Sequence, residues 1–182
     1  MAPDSEQVAG LADLLRQAGQ TVATAESLTG GLVCVTLVDV PGASTVVRGG
    51  VVAYAADVKR DVLGVDPGLL EREGTVHPQV AAQLAAGARD VLAATWGLGT
   101  TGVAGPGPAE GHPAGTVHVA VCGPDGTTVQ SLLLAGDRAA VRSGAARAVL
   151  VELAARLGNS SDRPVVDVDV TSRGRTQDGE RR

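Results

Sequence analysis

The chain has no phenylalanine, one tryptophan, one tyrosine and one methionine in 182 residues, so its core must be built from valine, leucine and alanine. No apolar run reaches the roughly 18 residues a membrane span requires, although 44% of residues are hydrophobic. Residues 2–7 are polar and acidic, unlike a secretory signal. Only two cysteines occur, Cys34 and Cys122, each in an apolar segment where a thiol behaves as a small hydrophobe. The expectation is a reduced, cytoplasmic protein with no membrane partner. A net charge of −5 and the lack of a basic stripe argue against a nucleic-acid partner. His77, His112 and His118 share no metal-ligand spacing with one another or with the cysteines, so no metal is expected.

Lysine is nearly missing too. Of the 15 basic residues, 14 are arginine and one, Lys59, is lysine. Arginine keeps its proton in a protein, whereas a partly buried lysine can lose it near neutral pH. Lys59 is therefore either a group kept for proton chemistry or an ordinary solvated helix residue.

What is present reads as one α/β domain. Val8, Leu11, Leu14, Leu15 and Ala18 form a helical stripe that Gly19 ends. Residues 21–25 suit a short buried strand, followed by a helix over about 30–38. Residues 45–54 are valine-rich but broken by Gly49-Gly50, which predicts one strand with a bulge or two short ones. A helix over 55–63 carries Lys59, and a helical turn is expected at 69–72. Pro78 starts a helix to about 93, with His77 a poor occupant of the cap position. A glycine-spaced strand follows over 96–103. Strands at 116–122 and 127–134 flank the turn Gly123-Pro-Asp-Gly126, and Asp137 caps a last helix to about 157. From Gly158 the last 25 residues carry five acidic and five basic side chains. This tail is expected to be disordered, with 165–170 as a conceivable edge strand. The predicted architecture is a three-layer α/β/α domain over residues 1–157 around a mixed sheet with an antiparallel hairpin.

The stretch Ala25-Glu-Ser-Leu-Thr-Gly-Gly31 reads as strand, tight turn, helix. Ser27 can cap that helix. It can also stand exposed as a nucleophile, with Gly30 and Gly31 baring N–H groups at a helix start. A serine nucleophile needs a proton acceptor, and a neutral lysine supplies one. Tyr54 and Lys59, the lone tyrosine and lysine, lie five apart across a strand-to-helix junction, where their side chains could converge. The alternative for Tyr54 is a core or interface aromatic. The loop Thr101-Gly-Val-Ala-Gly-Pro-Gly107 either presents N–H groups to an anion or is a plain turn.

In order along the chain, Ala25–Gly31, Pro41–Ser44, Gly49–Lys59, Leu63–Val65, Gly74–His77, Thr101–Pro108, Pro113–Val117 and Ala135–Arg138 resemble the motifs of the CinA C-terminal domain family, the nicotinamide-nucleotide amidohydrolases. The resemblance covers about residues 5–157 and lacks the N-terminal domain of longer members, so a stand-alone form is expected. It implies hydrolysis of the carboxamide of nicotinamide mononucleotide to nicotinic acid mononucleotide and ammonia. Ser27 would attack the amide, Lys59 would move the proton, and Tyr54 would help hold its path. Glu26, Thr29, Gly30 and Gly31 would line the substrate, with the N–H groups of 29–31 as the oxyanion site. Thr101, Gly102, Ala104 and Gly105, with Arg138 or Arg142, would hold the ribose phosphate. No cofactor is implied. The partner is a small pyridine nucleotide, and a homo-oligomer is expected.

The sequence departs from the family pattern in places. Leu28 replaces a cysteine, Ala55-Ala56 replaces Ser-Asn, and His77 stands for a serine cap. The loop Gly107-Pro-Ala-Glu-Gly-His-Pro113 lacks a third glycine in line and the lysine before Pro113. Two rivals to the leading reading follow: a nucleotide-binding or regulatory domain that turns nothing over, and an amidase for another small amide.

Overall fold

Val8, Leu11, Ala12 and Leu15 recur at helical spacing and all four are buried, so residues Ser5–Gln17 form α1. Gly19, at φ +62, turns the chain out of it. The structure, a computed structural model, describes residues 5–160. Strand β1 (Val22–Glu26) is buried at every position, as befits a strand covered on both faces. Helix α2 (Leu32–Val38) leads to β2 (Val47–Val52), which runs parallel to β1. Val22 pairs with Val47 but Ala23 with Gly49, so the interrupted segment is one strand with Arg48 as the extra residue of a bulge.

Three helices follow: α3 (Ala56–Leu63), α4 (Pro67–Glu73) and α5 (Pro78–Val91). The expected single turn at 69–72 is a full helix because Asp66 caps it, its carboxylate accepting from Gly68 N at 2.9 Å. His77 also caps α5 after all: its Nδ1 accepts from Gln79 N at 3.2 Å. Strand β3 (Trp96–Gly102) lies parallel to β1 on the side away from β2, and β4 (Thr116–Gly123) and β5 (Gly126–Leu133) add antiparallel strands. The sheet order is β2-β1-β3-β4-β5. The last helix, α6 (Arg138–Ser160), starts where Asp137 Oδ1 accepts from Ala140 N at 2.8 Å. The segment 165–170 and the rest of the tail expected to be disordered lie outside the described residues, apart from 158–160, which continue α6.

The pleat divides the core in two. Val22, Trp96, Leu98, Val117, Val119 and Val121 pack under α1, α2 and α6. Ala23 and Ala25 face Leu63, Leu69, Val80 and Leu84 of the other three helices. On that second side the sheet is paved with small residues. A Cβ at Gly97 or Gly99 would collide with the carbonyl of Ala85 or Ala81, so α5 lies almost on the backbone of β3. Close approach supplies the packing density that aromatic rings provide in other cores. The expected three-layer α/β/α arrangement is what forms.

From β1 the chain crosses under α2 to one neighbour, then returns through α3–α5 to the other. Strand order therefore switches at β1, and the carboxyl ends of β2, β1 and β3 share one edge. In open α/β sheets that crevice is where ligands bind.

Candidate active site

Ser27 is the first residue beyond β1. Its N–H prolongs the ladder to Thr100 O (3.0 Å) and its carbonyl accepts from Gly30 N (3.1 Å), closing a tight turn. Gly30 and Gly31 take φ of +61 and +95, which explains two glycines where a side chain would be strained. The side chain of Ser27 does not cap α2. That task falls to Glu26, whose carboxylate accepts from Gly31 N, Val33 N and Cys34 N at 2.8–3.0 Å and from the Thr24 hydroxyl at 3.1 Å. Glu26 is 1% exposed. Its expected place against the substrate is corrected: it holds the helix start and so the turn that carries Ser27.

Ser27 and Leu28 open into a cavity of about 200 Å³ whose other walls include Tyr54, Val76, Ala104, Glu110 and Arg138. Lys59 is not among the side chains that line it, but its amine meets the main chain of Tyr54, which does. Lys59 is 0% exposed, and its Nζ donates to Ala53 O (2.7 Å) and Tyr54 O (3.0 Å), the carbonyls at the exit of β2. Ala53 N in turn donates to Glu26 O at 2.9 Å, which ties this exit to the residue before Ser27. Burial lowers the Lys59 pKa from 10.5 to about 8, with the negative charge of Glu110 pulling the other way. The amine is thus buried against the exit of β2, and its hydrogen bonds go to main-chain oxygens and none to Ser27 Oγ.

Tyr54 meets Lys59 through its carbonyl, not its ring. The residue is 63% exposed and its hydroxyl accepts from Arg138 at 3.2 Å, while the same guanidinium donates to Gly105 O at 2.9 Å. Arg138 thereby bridges the exit of β2 and the loop after β3. Arg142 is committed elsewhere: it donates to Leu28 O (3.1 Å) and Thr29 O (2.7 Å), gripping the serine turn. Of the two arginines, Arg138 is the one that lines the cavity.

The expected oxyanion donors need revision. Gly30 N is spent on Ser27 O and Gly31 N on Glu26, and the Thr29 hydroxyl is paired with Thr100 (2.8 Å) in a fully buried contact. Among the described residues, no acceptor is found for the N–H groups of Leu28 and Thr29 in this turn. In the second loop the Thr101 hydroxyl donates to Thr75 O (2.6 Å), and Gly102 and Ala104 line the cavity. Val103 N is used by Thr116 O, whereas Ala104 N and Gly105 N have no acceptor among the described residues.

No motif in the sequence singles out Glu110. Its carboxylate accepts from Thr75 N (2.6 Å), the Thr75 hydroxyl (2.7 Å) and Val76 N (3.2 Å), residues some 35 positions away. Burial would raise its pKa, but these bonds and the charge of Lys59 lower it on balance. Among the described residues no three His, Cys, Asp or Glu side chains are grouped to hold a metal, and no helix is long and apolar enough to cross a membrane.

The model of the CinA C-terminal domain family matches residues 5–157. A CinA-like protein of Frankia casuarinae is 55% identical over 130 residues, which are 71% of this chain and 30% of that protein. A putative competence-damage inducible protein of Desulforamulus reducens is 46% identical over 145 residues, 80% of this chain and 35% of that one. The chain thus spans about a third of the length of these curated relatives. Among solved structures, the competence or damage-inducible protein of Enterobacter asburiae superposes with a TM-score of 0.81 at 34% identity, covering 84% of this chain and 97% of that one. A CinA superfamily protein of Klebsiella pneumoniae gives 0.82 at 29% identity, covering 85% and 98%.

Proposed function

The chain belongs to the CinA C-terminal domain family, and on that premise we propose that it is a serine–lysine amidohydrolase that converts the carboxamide of nicotinamide mononucleotide to the acid and ammonia. The observation that carries this reading is Lys59, an amine with 0% exposure and a pKa brought down to about 8, hydrogen-bonded to the main chain of Tyr54, which lines the cavity where Ser27 stands. At pH 7 about a tenth of such an amine is neutral, against roughly three in ten thousand for an ordinary lysine. Neutral Lys59 takes the proton of Ser27 Oγ as it attacks the amide carbon. The C–N bond then breaks, and the proton held by Lys59 leaves with ammonia. Water, deprotonated by the same amine, cleaves the acyl-serine ester and releases the carboxylate, while the proton returns to Oγ.

Leu28 N and Thr29 N are the donors for the oxyanion, because the glycine N–H groups are already used. Arg138, with Ala104 N and Gly105 N, takes the phosphate. The missing Lys59–Ser27 hydrogen bond does not exclude this role, since catalytic contacts often tighten only around substrate. It also favours the second reading, a nucleotide-binding domain without turnover.

The test is incubation with nicotinamide mononucleotide while ammonia and the acid are followed. Ser27→Ala and Lys59→Arg should each lose at least about a hundredfold in kcat. Full activity in Lys59→Arg excludes the amine as base, since arginine cannot deprotonate. Binding by calorimetry with no product over hours would establish the second reading.

A further inference from the structure

Glu110 stands in the loop where this chain leaves the family pattern, and its local geometry is held rather than relaxed. Ala109 and His112 exchange both main-chain hydrogen bonds (3.0 and 2.9 Å) around a two-residue tip. Both tip residues, Glu110 (φ +49) and Gly111 (φ +76), are left-handed. Such tips prefer Asn, Asp or Gly, so a glutamate there is kept by its contacts. Three donors from residues 75 and 76 supply them. Gly74, at φ +74, makes the room, since a Cβ there would collide with the carboxylate. The result is a negative charge fixed on the wall of the Ser27 cavity.

Among the described residues that line this cavity, Glu110 is the one acidic side chain and Arg138 the one basic side chain. A ligand with a cationic ring and an anionic group is matched to that arrangement. We propose that Glu110 is a specificity determinant that favours amides carried on a positively charged ring over the same amides on an uncharged ring. This rests on the amidohydrolase reading and names which amides the site selects. The outer side of Glu110 is open to water, which screens the attraction and holds the expected preference to roughly tenfold.

The probe is a pair of nucleotides with the same phosphate: the pyridinium mononucleotide and its dihydro form, whose ring is uncharged. Affinity by calorimetry and kcat/KM are measured for both with the wild type, Glu110→Gln and Glu110→Asp. Intrinsic reactivity and the phosphate contact are common to all three proteins, so the change in the cationic-to-neutral ratio isolates the ring charge. In Glu110→Gln the ratio should fall about tenfold, mostly by weaker handling of the cationic form, and Glu110→Asp should retain most of it. Should Glu110→Gln fail to fold, the wild-type ratio should still fall as ionic strength rises. Turnover with an unchanged ratio overturns this inference and leaves the amidohydrolase reading standing. A shifted binding ratio without turnover supports the inference and removes the hydrolase. Neither binding nor turnover of either nucleotide overturns both.

Discussion

Replacing Lys59 by methionine separates two things its amine does in the fold. Nζ donates to Ala53 O and Tyr54 O. Losing it leaves those carbonyls without that donor, which costs about 1–3 kcal/mol at any pH. The charge acts differently. In the unfolded chain the amine keeps its proton to about pH 10.5, but in the folded protein only to about 8. Between those values the unfolded chain binds more protons than the native one, so native stability rises with pH across that window. At pH 7 both states are protonated and the buried charge is fully penalised. By pH 10 the folded amine is neutral and roughly 2 kcal/mol of that penalty has gone.

The stability of the wild type relative to Lys59→Met should therefore improve by about 2 kcal/mol between pH 7 and pH 10. Every other titrating group is common to the two proteins and drops out of the difference. Urea unfolding of both proteins at the two pH values reads this directly, provided the slopes agree. A difference that stays flat would mean that the amine keeps its proton in the fold. Lys59 would then be unable to act as the base, and the mechanism would fall with it.

The same amine sets the pH–rate profile: kcat/KM for the amide should climb about tenfold from pH 7 to pH 9 and then level, and a flat profile would place the proton acceptor elsewhere. Glu26→Ala removes the acceptor of three main-chain N–H groups and a hydroxyl. At about 1–3 kcal/mol for each of these four groups left unpaired, a loss of at least roughly 4 kcal/mol should appear in chemical denaturation. Glu26→Gln keeps one accepting oxygen and should recover about half of it. Unchanged midpoints in both variants would show that the start of α2 does not depend on that carboxylate.

Much of this was legible in the sequence, and the misses share a cause. The apolar stripe of α1, the bulge signalled by Gly49-Gly50 and the hairpin at 123–126 are local patterns that the fold had only to accept. The lone lysine was legible as well, because arginine everywhere else made its retention informative. Glu26 was not, since its motif suggests a ligand contact while the pleat decides otherwise. Residues 22, 24 and 26 share a face, and that face lies under α2, so the carboxylate meets N–H groups of the helix start instead. Glu110 and Thr75 are joined only by tertiary structure, and no spacing rule reaches across 35 residues.

The five-residue interval between Tyr54 and Lys59 was read correctly as a junction and wrongly as a meeting of side chains. A helical side chain leans toward the helix N-terminus. Lys59 lies in the first turn of α3 with β2 just ahead of it, so its stem runs back along the carbonyls of Ala53 and Tyr54. The tyrosine ring points away into the grip of Arg138. The position of the amine is consequently a property of the β2 backbone. That backbone is registered to β1 by the bulge at Arg48 and by the Ala53–Glu26 hydrogen bond. A one-residue slip there would shift the carbonyls of Ala53 and Tyr54, and the amine they hold, relative to the serine turn. The pairing of two strands thus places the Lys59 amine in relation to the serine turn, and the aromatic side chain beside it serves the loop and the arginine.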